Sequence, residues 1–143
     1  AKAALERLEA NQHLDVSSQI QSARFAYFQA LDSSCDIDRS KFTYAWCLVH
    51  HNSKEELDLG LSLFKELATN KELRRESLYY IATAQFKLAQ YLECRRTLLE
   101  LLSTDPGDRQ ALDLKAAAEE VLERDGALGL AAIAGAAAVA GLA

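Results

Sequence analysis

The chain reads as all-α: a six-helix bundle built around two helix-pair repeats, followed by a C-terminal transmembrane helix. Three observations predict this. Apolar residues recur at three- and four-residue spacing nearly everywhere, and no stretch alternates as a strand would. A shift of 34 residues lays small residues on small and large apolar on large. The final seventeen residues, Ala127 to Ala143, carry no charge, whereas all 37 charged side chains lie at or before Asp125.

In order along the chain, residues 2–11 predict a short helix with Leu5 and Leu8 on one side. Residues 18–31 predict another, with Ile20, Ala23, Tyr27 and Leu31 on one stripe. Asp32 to Asp38 is short and polar, a loop. Phe42, Trp46 and Val49 stand at helical spacing over residues 39–51. Ser53, three before Glu56, is a capping-box pattern that starts a helix running to Ala68. Thr69, three before Glu72, repeats the pattern and opens a helix to Ala89. Gln90 marks a tight turn before a helix from Tyr91 to Ser103. Asp105-Pro106 supplies an N-cap and a first-turn proline for a last helix over residues 107–124. That helix runs on into the tail unless Asp125-Gly126 breaks it. The expected domains are an N-terminal arm or short helix (1–16), a cytosolic bundle (17–125) and a membrane anchor (126–143).

The shift of 34 carries Gly60 onto Cys94, Phe64 onto Leu98, Leu67 onto Leu101, Leu57 onto Tyr91 and Trp46 onto Tyr80. Two helices per 34 residues is the tetratricopeptide arrangement. The unit over residues 75–108 fits that pattern well: Ile81-Ala82, Phe86, Tyr91, Cys94 as the small position, Leu98, Leu101 and Pro106. The unit over residues 41–74 is looser. Ala82 and Cys94 are small where two antiparallel helices must cross, and Tyr91 and Leu98 fill the space beside them. Two repeats bury too little for an independent solenoid. The helices before residue 32 and after residue 106 are therefore expected to cap the stack.

The apolar tail must be buried in water, and a bilayer is its expected host. A crossing takes about 20 apolar residues, so seventeen read as an anchor cut before its natural end. Leu128, Leu130, Ile133, Val139 and Leu142 are its largest apolar side chains. The other reading is an Ala/Gly-rich helix that packs back on the bundle or on another chain. Ala131 and Gly135, and Ala137 and Gly141, stand four apart, a spacing at which membrane helices self-associate.

Composition narrows the function classes. Net charge is -5 and no short run is strongly basic, which disfavours nucleic acid as a partner. Three cysteines without close spacing suit a reducing compartment. The charged N-terminal stretch has no secretory apolar core, so insertion after synthesis, with the bundle in the cytosol, is expected. No catalytic set is visible, and neither enzyme activity, cofactor nor metal is expected. His13, His50 and His51 are the only histidines; the adjacent pair lies about 100° apart on a helix and is expected to be solvated. Cys47 is expected as a small core residue and Cys35 as an exposed loop thiol. Asp32, Asp36 and Asp38 lack the order of a calcium loop. Arg74-Arg75 and Arg95-Arg96 are expected on helix surfaces.

Tyr44-Ala45-Trp46-Cys47-Leu48-Val49, then Gly60, then Leu78-Tyr79-Tyr80-Ile81-Ala82, then Asp125-Gly126 and the apolar end resemble the mitochondrial fission 1 protein family over roughly residues 20–143. The resemblance implies a two-repeat bundle on the outer mitochondrial membrane, and on peroxisomes, facing the cytosol. It implies an adaptor that recruits a dynamin-related GTPase, directly or through adaptor proteins. The basic residues that usually close the family's tail are absent here.

In tetratricopeptide stacks the first helix of each unit lines a concave side, with its second, fifth and ninth positions pointing inward. Here these are Phe42, Ala45 and Val49, and Glu76, Tyr79 and Thr83, with Asn52 and Lys87 at the rim. Such a groove suits a helix or an extended peptide. Trp46 and Tyr80, at matching positions, are expected in the core. A membrane receptor for targeting peptides would use the same fold and anchor, and is the rival reading.

Overall fold

The computed structural model describes the backbone of residues 2–126 and side chains from Ser17 onward. Six helices follow in order: α1 (Lys2–Ser33), α2 (Ile37–Val49), α3 (Lys54–Leu67), α4 (Arg74–Lys87), α5 (Tyr91–Thr104) and α6 (Arg109–Arg124). Each packs on the next as an antiparallel hairpin. The first helices α2, α4 and α6 also touch directly and so share one side of the stack. None of the described helices is long and apolar enough to cross a membrane. Leu128, Leu130, Ile133, Val139, Leu142 and the small-residue pairs of the tail lie outside the described residues, as do the side chains of Leu5, Leu8 and His13.

Where the sequence suggested a short helix and then another, α1 runs unbroken. No glycine or proline interrupts residues 2–33, so nothing forces a break. Ile20, Ala23 and Ala30 are buried and Tyr27 packs against the core, a stripe that follows 3.6 residues per turn. Leu31, placed on that stripe from sequence, is instead 42% exposed; Ala30 takes the inward position. The helix ends where Ser34 and Asp36 turn left-handed, φ 53° and 54°, conformations that short polar side chains tolerate.

Capping explains the other boundaries. Ser53 caps α3, accepting from the Glu56 amide at 3.3 Å. The reciprocal half of the box is replaced: the Ser53 amide donates to His51 Nδ1 at 3.2 Å. Thr69 does not open α4. Its hydroxyl donates back to the Glu66 carbonyl at 2.7 Å, and the amides of Ala68, Thr69 and Asn70 keep winding onto α3. Asn70 Oδ1 then accepts from the Glu72 amide at 3.0 Å, and α4 begins only at Arg74. Asp105 does not cap α6 either. Arg75 holds its carboxylate at 2.8 Å, and Asp108 accepts from the Ala111 amide at 3.1 Å instead. The α4–α5 turn closes on Ala89 at φ 60°, with the Gln90 amide reaching back to the Gln85 carbonyl at 2.8 Å, a Schellman closure made without glycine.

The core runs through both hairpins. Phe64, Leu48, Leu67, Leu98, Leu101, Val49 and Cys94 are all but fully buried. At Gly60 an added Cβ would stand 2.9 Å from Val49 Cγ2, 3.1 Å from Leu48 Cβ and 3.2 Å from the Ala45 carbonyl oxygen, so the absent side chain is what lets α3 close on α2. Packing positions keep the 34-residue shift, but helix ends do not: α3 opens at Lys54 and α5 at Tyr91, 37 residues on. The basic pairs lie on helix surfaces as expected; Arg96 meets only Glu93 of its own helix, and the other three arginines reach beyond theirs. Arg74 pairs with Glu100, Arg75 with Asp105 and Asp108, and Arg95 with Glu119.

Candidate partner-binding groove

The side shared by α2, α4 and α6 carries two open cavities. One, about 360 Å³, lies between α2 and α4 over Phe42, Thr43, Leu73 and Glu76. The other, about 350 Å³, lies between α4 and the start of α6 over Glu76, Tyr79, Tyr80 and Asp108. Glu76 borders both, so the two lie side by side across three helices.

Their floor is aromatic. The Tyr80 ring stacks on Phe64 with centroids 5.2 Å apart, and Phe42 meets both rings edge-on at 5.2 and 5.9 Å. Tyr79 packs edge-on against Tyr80 at 5.3 Å. Beneath, Trp46 Nε1 donates to the Tyr80 hydroxyl at 3.2 Å, joining the two repeats at the matched positions. Trp46 also stacks on His50, 3.9 Å between centroids. His50 Nδ1 lies 2.8 Å from the Trp46 carbonyl, a geometry that puts the proton on Nδ1. Burial pushes the His50 imidazole below its ordinary value of 6.5, and the Lys87 ammonium adds to this, against the Trp46 carbonyl. The adjacent histidines are therefore not a solvated pair: both are half-buried, and His51 serves the α3 cap.

Of the six groove positions named from sequence, Ala45 and Val49 have no exposed surface at all. Both lie where α3 closes on α2 at Gly60, and the Val49 carbonyl further accepts from Lys87 Nζ at 2.8 Å. These two are corrected to core. Phe42 and Tyr79 are half-buried and Glu76 is exposed, and all three border the cavities. Thr83 is half-buried but borders neither, its hydroxyl donating to the Tyr79 carbonyl at 2.9 Å. Asn52 is exposed at the α2–α3 turn. Among the residues missed were Thr43, Glu72, Leu73, Tyr80, Asp108 and Gln110. Tyr80 packs as core and faces the cavity at once, which an inside-or-outside reading cannot register. Asp108 would have followed from placing the α6 cap correctly.

Burial raises the Tyr79 phenol, with Tyr80, Asp108 and Asp113 adding to it and a hydrogen bond with Thr83 opposing. Burial likewise raises the Cys47 thiol, and lifts that of Cys94 to about 11. Both are packing groups with little thiolate at neutral pH. Cys35 is exposed. Among the described residues, no group of His, Cys, Asp and Glu stands together as a metal site.

Comparison with known proteins places this architecture. Residues 39–71 match the Fis1 N-terminal tetratricopeptide repeat, and residues 75–127 match the Fis1 C-terminal tetratricopeptide repeat. Mitochondrial fission 1 protein of Mycosarcoma maydis is 35% identical over 127 residues, 88% of this chain and 84% of its own. That of Neurospora crassa is 38% identical over 105 residues, 73% of this chain and 69% of its own. The chain belongs to the mitochondrial fission 1 protein family. Among solved structures, yeast Fis1 in complex with an Mdv1 fragment superposes with a TM-score of 0.70 at 23% identity, covering 76% of this chain and 86% of that one, a likeness of fold. In this fission 1 family member the N-terminal repeat is the α2–α3 hairpin, and the C-terminal match takes in α6 as well as α4 and α5.

Proposed function

We propose that this protein is a tail-anchored adaptor of mitochondrial fission, working on the outer mitochondrial membrane with its bundle in the cytosol, and on peroxisomes as well. The groove over α2, α4 and α6 holds a segment of a partner, either a dynamin-related GTPase or an adaptor protein that brings one. Residues 126–143 are the anchor, and the protein makes and breaks no bonds itself. The observation that carries this is the row Phe42, Tyr79 and Tyr80: half-buried rings bordering cavities that the described chain leaves open. Open aromatic floors of this kind suit a helix laid in a groove. Family membership supports the organelle and the process, and the Mdv1 fragment seen with yeast Fis1 supports a protein partner. Tethering concentrates the groove at the membrane, so modest affinity suffices.

Depleting the protein in its cell of origin is expected to lengthen mitochondria. The wild-type chain restores their shape, whereas Tyr79→Ala, with an unchanged circular dichroism spectrum, and a chain lacking residues 127–143 do not. The truncated chain is expected in the cytosolic fraction. Normal mitochondria after depletion, with binding of presequence peptides to the purified protein, would put a targeting-peptide receptor in its place.

A further inference from the structure

We infer that the groove selects a cationic amphipathic helix; this rests on the groove reading above and adds the chemistry of what fills it. The two cavities are bordered by four carboxylates, Asp38, Glu72, Glu76 and Asp108, against two guanidiniums, Arg39 and Arg75. Arg75 is held by Asp105 at 2.8 Å and Asp108 at 3.2 Å, so these charges match one another and leave Asp38, Glu72 and Glu76 against Arg39 alone. The Glu72 and Glu76 carboxylates have no ion-pair or hydrogen-bond partner among the described residues; Glu72 lies in the turn before α4 and Glu76 in its first turn, and both border the cavity over Phe42. Asp113, on α6, adds to the negative field, which reaches the Tyr79 hydroxyl. A fitting occupant sets an apolar stripe on Phe42, Tyr79 and Tyr80 and flanks it with Lys or Arg facing Glu72 and Glu76. The uncharged segment 127–143 offers no such cations, and a second copy of a chain with net charge -5 would add repulsion.

The probes are tryptophan-free Leu/Ala amphipathic peptides of about 20 residues, long enough to cross the stack. They differ only in carrying Lys, Gln or Glu beside the stripe. The full chain is held in zwitterionic nanodiscs. Emission of Trp46, the chain's single tryptophan, reports locally because its indole bonds to Tyr80. The Lys peptide is expected to bind about tenfold more tightly than the Glu peptide at low salt, the gap closing as salt rises. The pair Glu72→Gln/Glu76→Gln is expected to remove most of that preference. Glu55→Gln/Asp58→Asn makes the same change of net charge on exposed residues of α3 and is expected to leave the preference intact.

Equal binding of the Lys and Glu peptides overturns the inference, and so does an equal loss from both variant pairs, which would mean attraction to net charge alone. In either case, loss of all peptide binding in Tyr79→Ala would leave the groove reading standing. Undiminished binding in Tyr79→Ala would remove the groove reading itself.

Discussion

The α2–α3 and α4–α5 hairpins solve one packing problem with different atoms. At the crossing, the first pair uses Gly60 and lets backbone meet side chain; the second uses Cys94, fully buried. One turn of helix further on, the first pair inserts Phe64 where the second inserts Leu98, both at 0% exposure. Phe64 is tied into the rings of Phe42 and Tyr80, so the first repeat's core is continuous with the groove floor. Leu98 makes no such link. A repeat thus keeps volume and position across the stack, while at this buried position only the first copy carries a ring, packed beneath a groove floor to which both copies contribute. Truncating both positions should expose the difference most strongly. Leu98→Ala is expected to cost about 3 kcal/mol. Phe64→Ala is expected to cost about 1 kcal/mol more, because edge-on and stacked ring contacts are lost as well. Chemical unfolding of the full chain followed by circular dichroism reads both; equal costs would mean the aromatic continuity adds nothing.

The crossing residues separate the hairpins next. Gly60→Ala gains about 1 kcal/mol of helix propensity, but its methyl would enter contacts of 2.9 to 3.2 Å. Two of the three opposing atoms, Leu48 Cβ and the Ala45 carbonyl oxygen, cannot rotate away, and Val49 is stiff at χ1. Overpacking of this kind costs about 1–3 kcal/mol, so a net loss of about 1 kcal/mol is expected. Cys94→Ala errs the other way, losing a buried sulfur for a small cavity. It is expected to cost about 1 kcal/mol, and less where neighbouring Leu98 relaxes into the space. A stabilised Gly60→Ala would show that α3 can back away from α2, and that the close approach is not what holds the first pair.

A smaller effect measures how the two hairpins are joined. Trp46 and Tyr80 occupy the same position of successive repeats and bond to each other at 3.2 Å. Trp46→Phe, Tyr80→Phe and the double variant form a cycle whose coupling is expected near 1 kcal/mol, the usual net worth of one hydrogen bond. Zero coupling would leave ring packing alone as the joint.

What sequence made legible follows the same division. Packing positions were readable because volume repeats every 34 residues: Gly60 and Cys94, Phe64 and Leu98, and Leu67 and Leu101 all sit where the shift puts them. Helix starts were less so, since several side chains competed for each cap. Thr69 and Asp105 have the right identity, but Asp108 has the geometry for α6, and α4 opens at Leu73 with no side-chain cap; bonds to Glu66 and Arg75 engage Thr69 and Asp105 instead. The groove was half legible. The second repeat's Glu76 and Tyr79 border it, as does Phe42 of the first. Ala45 and Val49 do not, because α3 closes over both at Gly60, and Thr83 of the second repeat stays off the cavities as well. Transferring positions from one repeat to another assumed that helix ends keep the 34-residue shift, whereas the second helices start 37 residues apart, at Lys54 and Tyr91.

The least effect, and the one specific to a single hairpin, is acid sensitivity. His50 lies at the end of α2, and the shift of 34 puts buried Ala84 at its counterpart in α4, so only the first pair holds a titratable ring there. Burial and the charge of Lys87 lower the folded-state pKa of His50 beneath 6.5. The unfolded chain therefore takes up the proton first as pH drops. Stability from this residue is complete above 6.5 and is lost as pH falls from there through the folded value, below which no further loss comes from His50. Unfolding free energy measured across that window is expected to decline in the wild-type chain and to stay flatter in His50→Ala, which installs the residue of the second pair. A decline of equal slope in both would assign the acid sensitivity elsewhere and make the two hairpins alike in this respect.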